Sequence, residues 1–363
     1  MNKQDIIKHR LVNQQIAESN FSKAQELVQY MIAMQAQEFA MAKWAIGMRL
    51  SINATDSIIE DAFNKGEIIR THLMRPTWHF VAPQDIRWLL ELTAPRVHRL
   101  NDYYYRQQNL DNKTFKKSHA ALAKGLKGGL HFTRHEIQDL LNKNKVNTEK
   151  GRLISILMHA ELEGLICSGP RIGKQFSYAL LEERVPPTQK LSRTEALNQF
   201  VKRFIETRGP VTLNDFVYWS GLTMKDARDG AEALPASFEK ITIDKNEYYW
   251  LPKALPKSTS TSKSRSTFLM PDYDEYGMSY KNRDILWEKK TKDQAVDTSI
   301  FNHWLVVDGK AGGYWARTIK KNKPVVELKP IGDVSTAKKT LIEKALKKYV
   351  AFADGSQKVK GEK

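Results

Sequence analysis

Apolar positions in the first part of the chain fall at helical spacing and then change to short runs. Ile6, Ile7 and Leu11 open one helix. A second carries Leu27, Tyr30, Met31 and Met34 on one side, with Ser22 as its expected cap and Glu26 in its first turn. Residues 40–50 read as a third, apolar helix, and residues 55–65 as a fourth that ends at Gly66. Two β-rich runs, 68–74 and 77–81, then flank Arg75-Pro76 and predict a hairpin. Helices followed by a hairpin are the winged-helix order.

That order returns twice. Thr133-Arg134-His135-Glu136 spells a capping box ahead of Ile137, Leu140 and Leu141. A further helix over about 150–163 stops at Gly164, and runs at 165–168 and 175–180 flank a basic tip, Gly169-Pro170-Arg171-Ile172-Gly173-Lys174. Thr212-Leu213-Asn214-Asp215 is a second cap signal ahead of Phe216, Val217 and Trp219, followed by a helix from about Thr223 and a hairpin around Lys245-Asn246. The matching cap contexts form a weak internal repeat. Residues 257–267 are rich in Ser, Thr and Lys, without an apolar side chain, and read as a linker or loop. Strand-like runs at 268–271, 305–309, 313–317 and 324–328 precede a helix over about 336–352. The predicted fold is therefore α+β. Winged-helix units occupy 1–110, 111–187 and 188–256, and 268–363 forms a small antiparallel β-barrel or sheet with a terminal helix.

Charge narrows the choice of partner. The 363 residues hold 58 Lys and Arg against 41 Asp and Glu, a net charge of +17 with a pI near 9.6. Such an excess favours a polyanion, because each phosphate neutralised releases counterions. Part of it crowds the C-terminus, where lysines at 338, 339, 347, 348, 358, 360 and 363 suit plain solvation. A single cysteine, Cys167, excludes an internal disulfide and a Cys-rich zinc site, and its strand context reads as core. No apolar run is long enough for a membrane span, and Met1-Asn2-Lys3-Gln4-Asp5 lacks the apolar segment of a signal peptide. A cytoplasmic, nucleoid-associated monomer is expected, with double-stranded and damaged DNA as partners, no membrane, no cofactor and no metal.

Gln35-Ala36-Gln37 stands out within Met31-Ile32-Ala33-Met34 and Phe39-Ala40-Met41-Ala42. A buried amide is costly unless its donors and acceptors find partners. Two of them in an apolar stretch point to a polar constellation. This text, continuing through Lys43-Trp44 to Gly47-Met48-Arg49-Leu50, resembles the winged-helix DNA glycosylases of the AlkZ/YcaQ family. Arg70 through Arg75-Pro76-Thr77-Trp78-His79 to Asp85 resembles the first wing of that family, and Pro271-Asp272-Tyr273-Asp274-Glu275-Tyr276 with Arg283 a segment at the start of its C-terminal part.

The resemblance implies that Gln35 and Gln37 are the catalytic pair, and that the substrates are bulky N7 adducts and interstrand crosslinks. The chemistry of glutamine agrees with a substrate of that kind. A carboxamide is neutral, so it positions water and does not take up its proton. Its reaction then needs a leaving group that is already good, such as a cationic N7-alkylguanine or N3-alkyladenine. Positions i and i+2 lie about 200° apart on a helix and converge only on extended or turn backbone. The motif is thus expected at a helix end or in a turn.

Arg75, His79, Arg171, Lys174, Tyr104 and Arg106 are candidates for DNA contact, with core packing the competing reading for the tyrosine and a structural role that for His79. Arg70 reads as solvated. The carboxylates at 272, 274 and 275 suit capping and hydrogen bonding rather than a metal. The competing function is a non-catalytic winged-helix DNA-binding protein or transcriptional regulator, in which the glutamines only satisfy a turn.

Overall fold

A computed structural model describes residues 1–253, 266–287, 303–320, 323–331 and 335–354. Helix α1 (Lys3–Asn13) starts from a capping box between Asn2 and Asp5. Helix α2 (Ala24–Met31) starts without a side-chain cap, so Ser22 does not fill that role. It also ends earlier than its apolar spacing suggests. Ile32 takes a φ of 68°, which a β-branched residue rarely adopts, and turns the chain into strand β1 (Ala33–Gln35). Met34 therefore lies on a strand. Helices α3 (Phe39–Gly47) and α4 (Asp56–Asn64) follow, the latter capped by Thr55, and then strands β2 (Ile69–His72) and β3 (Trp78–Val81). The three strands form an antiparallel sheet in the order β1-β3-β2. Helix α5 (Pro83–Gln107) leads away from it.

Helix α6 (Asn112–Gly125) and strand β4 (His131–Thr133) precede α7 (Arg134–Lys143), which begins at the expected Thr133–Glu136 box. Helix α8 (Arg152–Leu162), strands β5 (Ile166–Ser168) and β6 (Ser177–Leu180), and the short α9 (Leu181–Arg184) complete this stretch, with the sheet ordered β4-β6-β5. Helices α10 (Arg193–Arg208), α11 (Leu213–Ser220) and α12 (Met224–Glu232) come next, each with a capping box, and then the antiparallel pair β7 (Glu239–Ile243) and β8 (Asn246–Trp250).

Residues 254–265, which carry most of the expected linker, lie outside the described residues. Strand β9 (Thr267–Leu269), helix α13 (Glu275–Met278) and strands β10 (Trp304–Val307), β11 (Lys310–Lys320) and β12 (Lys323–Pro330) lead to helix α14 (Thr336–Asp354). The four strands form one antiparallel sheet, β12-β11-β10-β9. This region does not build a core of its own. Leu269, Trp304, Trp315 and Tyr349 pack in one cluster with Leu27, Trp44 and Phe63 of the first stretch. The indole N–H groups of Trp44 and Trp315 donate to the Leu269 and Met270 carbonyls, both at 2.7 Å.

The first sheet is buried on both faces. Met34 and Phe80 join that first core, whereas Ala33, Ile69 and Val81 join a second one built on α10 and α11. Side chains alternate along a strand, so Gln35, Thr71 and His79 share the second face. No helix among the described residues is long and apolar enough to cross a membrane.

Candidate active site

The Gln35-Ala36-Gln37 backbone is held from several directions. Gln35 N–H donates to Glu275 Oε1 at 2.9 Å, and Ala36 N–H donates to the Trp78 carbonyl at 2.9 Å. Arg70 Nε donates to the Ala36 carbonyl at 3.0 Å. Arg70 is thus not solvated: it is buried, with its guanidinium over the rings of Trp78 and Phe176. Burial pushes its pKa down to about 10, which leaves it charged at neutral pH. Upstream, Arg208 donates to the carbonyls of Met31 and Ala33, both at 3.0 Å, on either side of the left-handed Ile32. A residue in that region costs about 1–3 kcal/mol and persists only where its surroundings enforce it. The two-pronged guanidinium supplies that enforcement.

Glu275 is the hub behind the motif. Its Oε2 accepts from Arg208 Nη2 at 3.0 Å, Trp219 Nε1 at 2.8 Å and Ser279 Oγ at 3.0 Å, while Oε1 takes the Gln35 amide. The neighbouring Asp274 caps α13 and binds Arg49 through both oxygens, at 2.7 and 2.8 Å. Asp274 and Glu275 thus play the capping and hydrogen-bonding role expected of them, whereas Asp272 only pairs with His303 Nε2 at 3.4 Å. The first two dock α13 behind β1.

The Gln35 side chain has a defined orientation. Thr77 Oγ1 spends its proton on the Met74 carbonyl, 3.1 Å away, and so can only accept. The Gln35 group 3.4 Å from it is therefore the NH2. That directs Gln35 Oε1 elsewhere, and it is buried without a hydrogen-bond partner. Gln35 is opposite His79 in the β1–β3 register, which places two Cβ atoms on one face about 4.5–5.5 Å apart. His79 Nδ1 lies 3.0 Å from the Thr77 carbonyl and must donate to it, so Nε2 carries the lone pair. That nitrogen is also buried and unpartnered. Arg75, at the hairpin tip with a φ of 54°, brings two further buried, unpartnered atoms, Nε and Nη2. Its guanidinium sits 5.9 Å from the Tyr218 ring. Gln35, His79 and Arg75 thus contribute two acceptors and two donors that the protein does not satisfy.

His79 is wholly buried, so as it stands it is not a surface contact to DNA; it lies beside Gln35 on the same face of the sheet. Burial, and next the charge of Arg75, hold its pKa well below the ordinary value. The imidazole stays neutral in the fold, while the unfolded chain takes up a proton below about pH 6.5. Stability is therefore lost as pH falls from 7 to 5, by up to about 1.4 kcal/mol per pH unit for this group. Urea denaturation of wild type and His79→Asn at both pH values checks this; equal pH slopes would contradict it.

Gln37 and Glu38 are exposed, just past the end of β1 and ahead of α3. The motif thus spans a strand end and the turn into a helix, with Gln35 buried and Gln37 exposed. Arg171 is not a projecting tip residue. Its guanidinium lies 4.4 Å from the Phe176 ring and its amide donates to Asn64 Oδ1 at 2.8 Å, which folds the hairpin back onto α4. Lys174 is exposed. Tyr104 is 59% exposed, and the core role falls to Tyr105 instead. Arg106 is exposed and pairs with Asp102 one turn earlier. Cys167 is buried, and burial pushes its thiol up to about 12, as suits a core residue.

Sequence reasoning missed Thr77, Arg208 and the contact of Glu275 with Gln35. Arg208 carries no local signal: it ends an ordinary amphipathic helix and meets β1 only through the tertiary fold.

A family model described as "DNA glycosylase AlkZ-like" matches residues 28–352. Among solved structures, the Streptomyces sahachiroi DNA glycosylase AlkZ superposes with a TM-score of 0.79 at 18% identity, over 98% of this chain and 97% of that one. No curated protein sequence matches the chain. With nearly its whole length covered, the chain belongs to the AlkZ-like DNA glycosylase family.

Proposed function

We propose that this protein is a monofunctional DNA glycosylase that hydrolyses the N-glycosidic bond of cationic alkylated purines, N7-alkylguanine or N3-alkyladenine, including those tied into interstrand crosslinks. The carrying observation is the pair of buried, unpartnered acceptors, Gln35 Oε1 and His79 Nε2, on one face of the sheet beside the exposed Gln37. A water that donates one hydrogen to each acceptor turns a lone pair outwards. The glycosidic bond of the lesion breaks with its electron pair passing to the purine nitrogen, which cancels the charge that alkylation placed on the base. The water oxygen then bonds to the anomeric carbon, and its surplus proton leaves to solvent, because His79 is too weak a base to keep it. Gln37 at the rim orients the same water or the sugar. The rate gain comes from positioning and from a fixed electrostatic setting rather than from a titrating base. No lysine is required, since no Schiff base forms.

We read the three helix-and-hairpin stretches as tandem winged-helix units, over 1–110, 111–187 and 188–256, that together with 268–363 present a basic surface to the duplex. A base joined to both strands cannot rotate into a closed pocket, as ordinary flipping requires. An exposed amide, Gln37, suits such a substrate. We assign the exposed Lys174, Tyr104 and Arg106 to backbone contact and stacking, and the unpartnered donors of Arg75 to a phosphate at the lesion. Lys174→Ala is expected to weaken duplex binding without regard to sequence and to lower the salt slope by about 0.9. Fluorescence anisotropy at several salt concentrations measures this, and an unchanged slope removes Lys174 from the interface.

The decisive experiment incubates the protein with duplexes carrying N7-methylguanine or an N7 crosslink and follows free base by chromatography. Release of the alkylated purine with an abasic site left behind is expected. No release, together with strong preference for one undamaged sequence, would establish the DNA-binding regulator instead.

A further inference from the structure

Away from the glutamines, three imidazoles and a carboxylate gather where α5 meets α6 and α8. We propose that His98 of α5 with His159 and Glu163 at the C-terminal end of α8 forms a binding site for a first-row divalent metal ion, with zinc as the best-fitting occupant. One nitrogen or carboxylate oxygen from each of the three lies within 4.8 Å of the others. Residues four apart on a helix share a face, so His159 and Glu163 present their ligand atoms together. Tetrahedral zinc, with bonds of about 2.0–2.2 Å, keeps its ligand atoms roughly 3.3 Å apart, so small rotamer changes complete the shell.

The hydrogen bonds around the cluster point the same way. His98 Nε2 lies 2.9 Å from Glu163 Oε1, so an imidazole nitrogen and a carboxylate oxygen already meet. A divalent ion seated beside this pair would take one ligand atom from each. His98 Nδ1 meets the Tyr105 hydroxyl at 3.3 Å, and His159 Nδ1 meets His119 Nε2 at 3.2 Å. If both Nδ1 atoms donate, both Nε2 lone pairs are available to a metal. Support of a ligating imidazole through its other nitrogen is the usual arrangement behind a metal site. His159 is further fixed by stacking on Phe115, with ring centroids 3.7 Å apart. The Glu163 side chain is half exposed, and His98 and Glu163 line a 300 Å³ cavity with Arg87, Leu90 and Leu181. Water can therefore complete the coordination. The ion would clip α5, the helix leaving the first sheet, to α8. This site is independent of the glycosylase reading.

The test uses the full chain, stripped with a chelator and titrated with Zn²⁺ by calorimetry. Co²⁺ serves as a spectroscopic stand-in. One zinc per chain is expected, with a visible tetrahedral cobalt band and a rise in melting temperature. His159→Ala risks the fold through its Phe115 stack, so the informative variants are Glu163→Gln and the double variant His98→Gln/Glu163→Gln. The first should weaken zinc at least about tenfold and the second should abolish the cobalt band, with folding checked by circular dichroism. No stoichiometric zinc binding, or binding unchanged in the folded double variant, overturns the site.

Discussion

Replacing Gln37 with alanine is expected to slow base release from N7-methylguanine DNA about 100- to 1000-fold, the loss typical of removing one preorganised polar group from a transition state. Duplex affinity should remain that of the wild type. Gln37 is the cleaner of the two amides to remove, because it is exposed and has no fold-bearing hydrogen bond among the described residues. Surface substitutions of this sort usually change stability by less than about 0.5 kcal/mol, so lost activity cannot be ascribed to unfolding. Gln35→Ala should lose release as well, since it deletes the buried acceptor opposite His79. Single-turnover release, measured beside anisotropy with undamaged duplex, separates chemistry from binding. Wild-type rates in both variants would refute the catalytic assignment of the pair. Loss of affinity in place of rate would make the glutamines contact residues.

The second large effect concerns stability. Glu275→Ala should cost about 3–5 kcal/mol, because it strands the buried guanidinium of Arg208 without its counter-charge. The indole N–H of Trp219, Ser279 Oγ and the amide of Gln35 lose their acceptor in the same step. The damage reaches the site, since Arg208 also holds the carbonyls on either side of Ile32. Glu275→Gln keeps the shape and part of the hydrogen bonding, and should fall between wild type and alanine. Urea midpoints taken with a common slope give the comparison. A loss under about 1 kcal/mol for Glu275→Ala would mean that water replaces the carboxylate, and the hub role would be wrong.

Much of the local structure was legible in the chain. The Thr133 and Thr212 boxes are capping boxes because a hydroxyl and a carboxylate three residues apart satisfy amides that a helix start leaves open. Arg75-Pro76 sits between paired strands, and the second hairpin turns at Asp244-Lys245, one residue before the expected Lys245-Asn246. Helix α2 was misjudged at both ends. Its apolar spacing continues through Met34, but tertiary contacts hold Ile32 in a left-handed turn and pair Ala33–Gln35 with β3. Three residues of strand leave no periodicity to detect. Arg70 was misread because a charged residue on a hairpin reads as solvated, yet the rings of Trp78 and Phe176 cover its guanidinium; that of Arg171, expected at a projecting tip, lies against Phe39 and Phe176.

Composition and motif determined the class of partner, the order of helices and hairpins, and the two amides worth testing, because charge, capping and turn chemistry act over a few residues. Which amide is buried, which oxygen lacks a donor, and which distant carboxylate and guanidinium hold the strand were decided only by folding. Glu275 and Arg208 lie far along the chain from Gln35 and meet it through packing of the two cores around one sheet. The same holds for the histidines of α5, α6 and α8, whose spacing carries no metal signature until three helices bring the rings together.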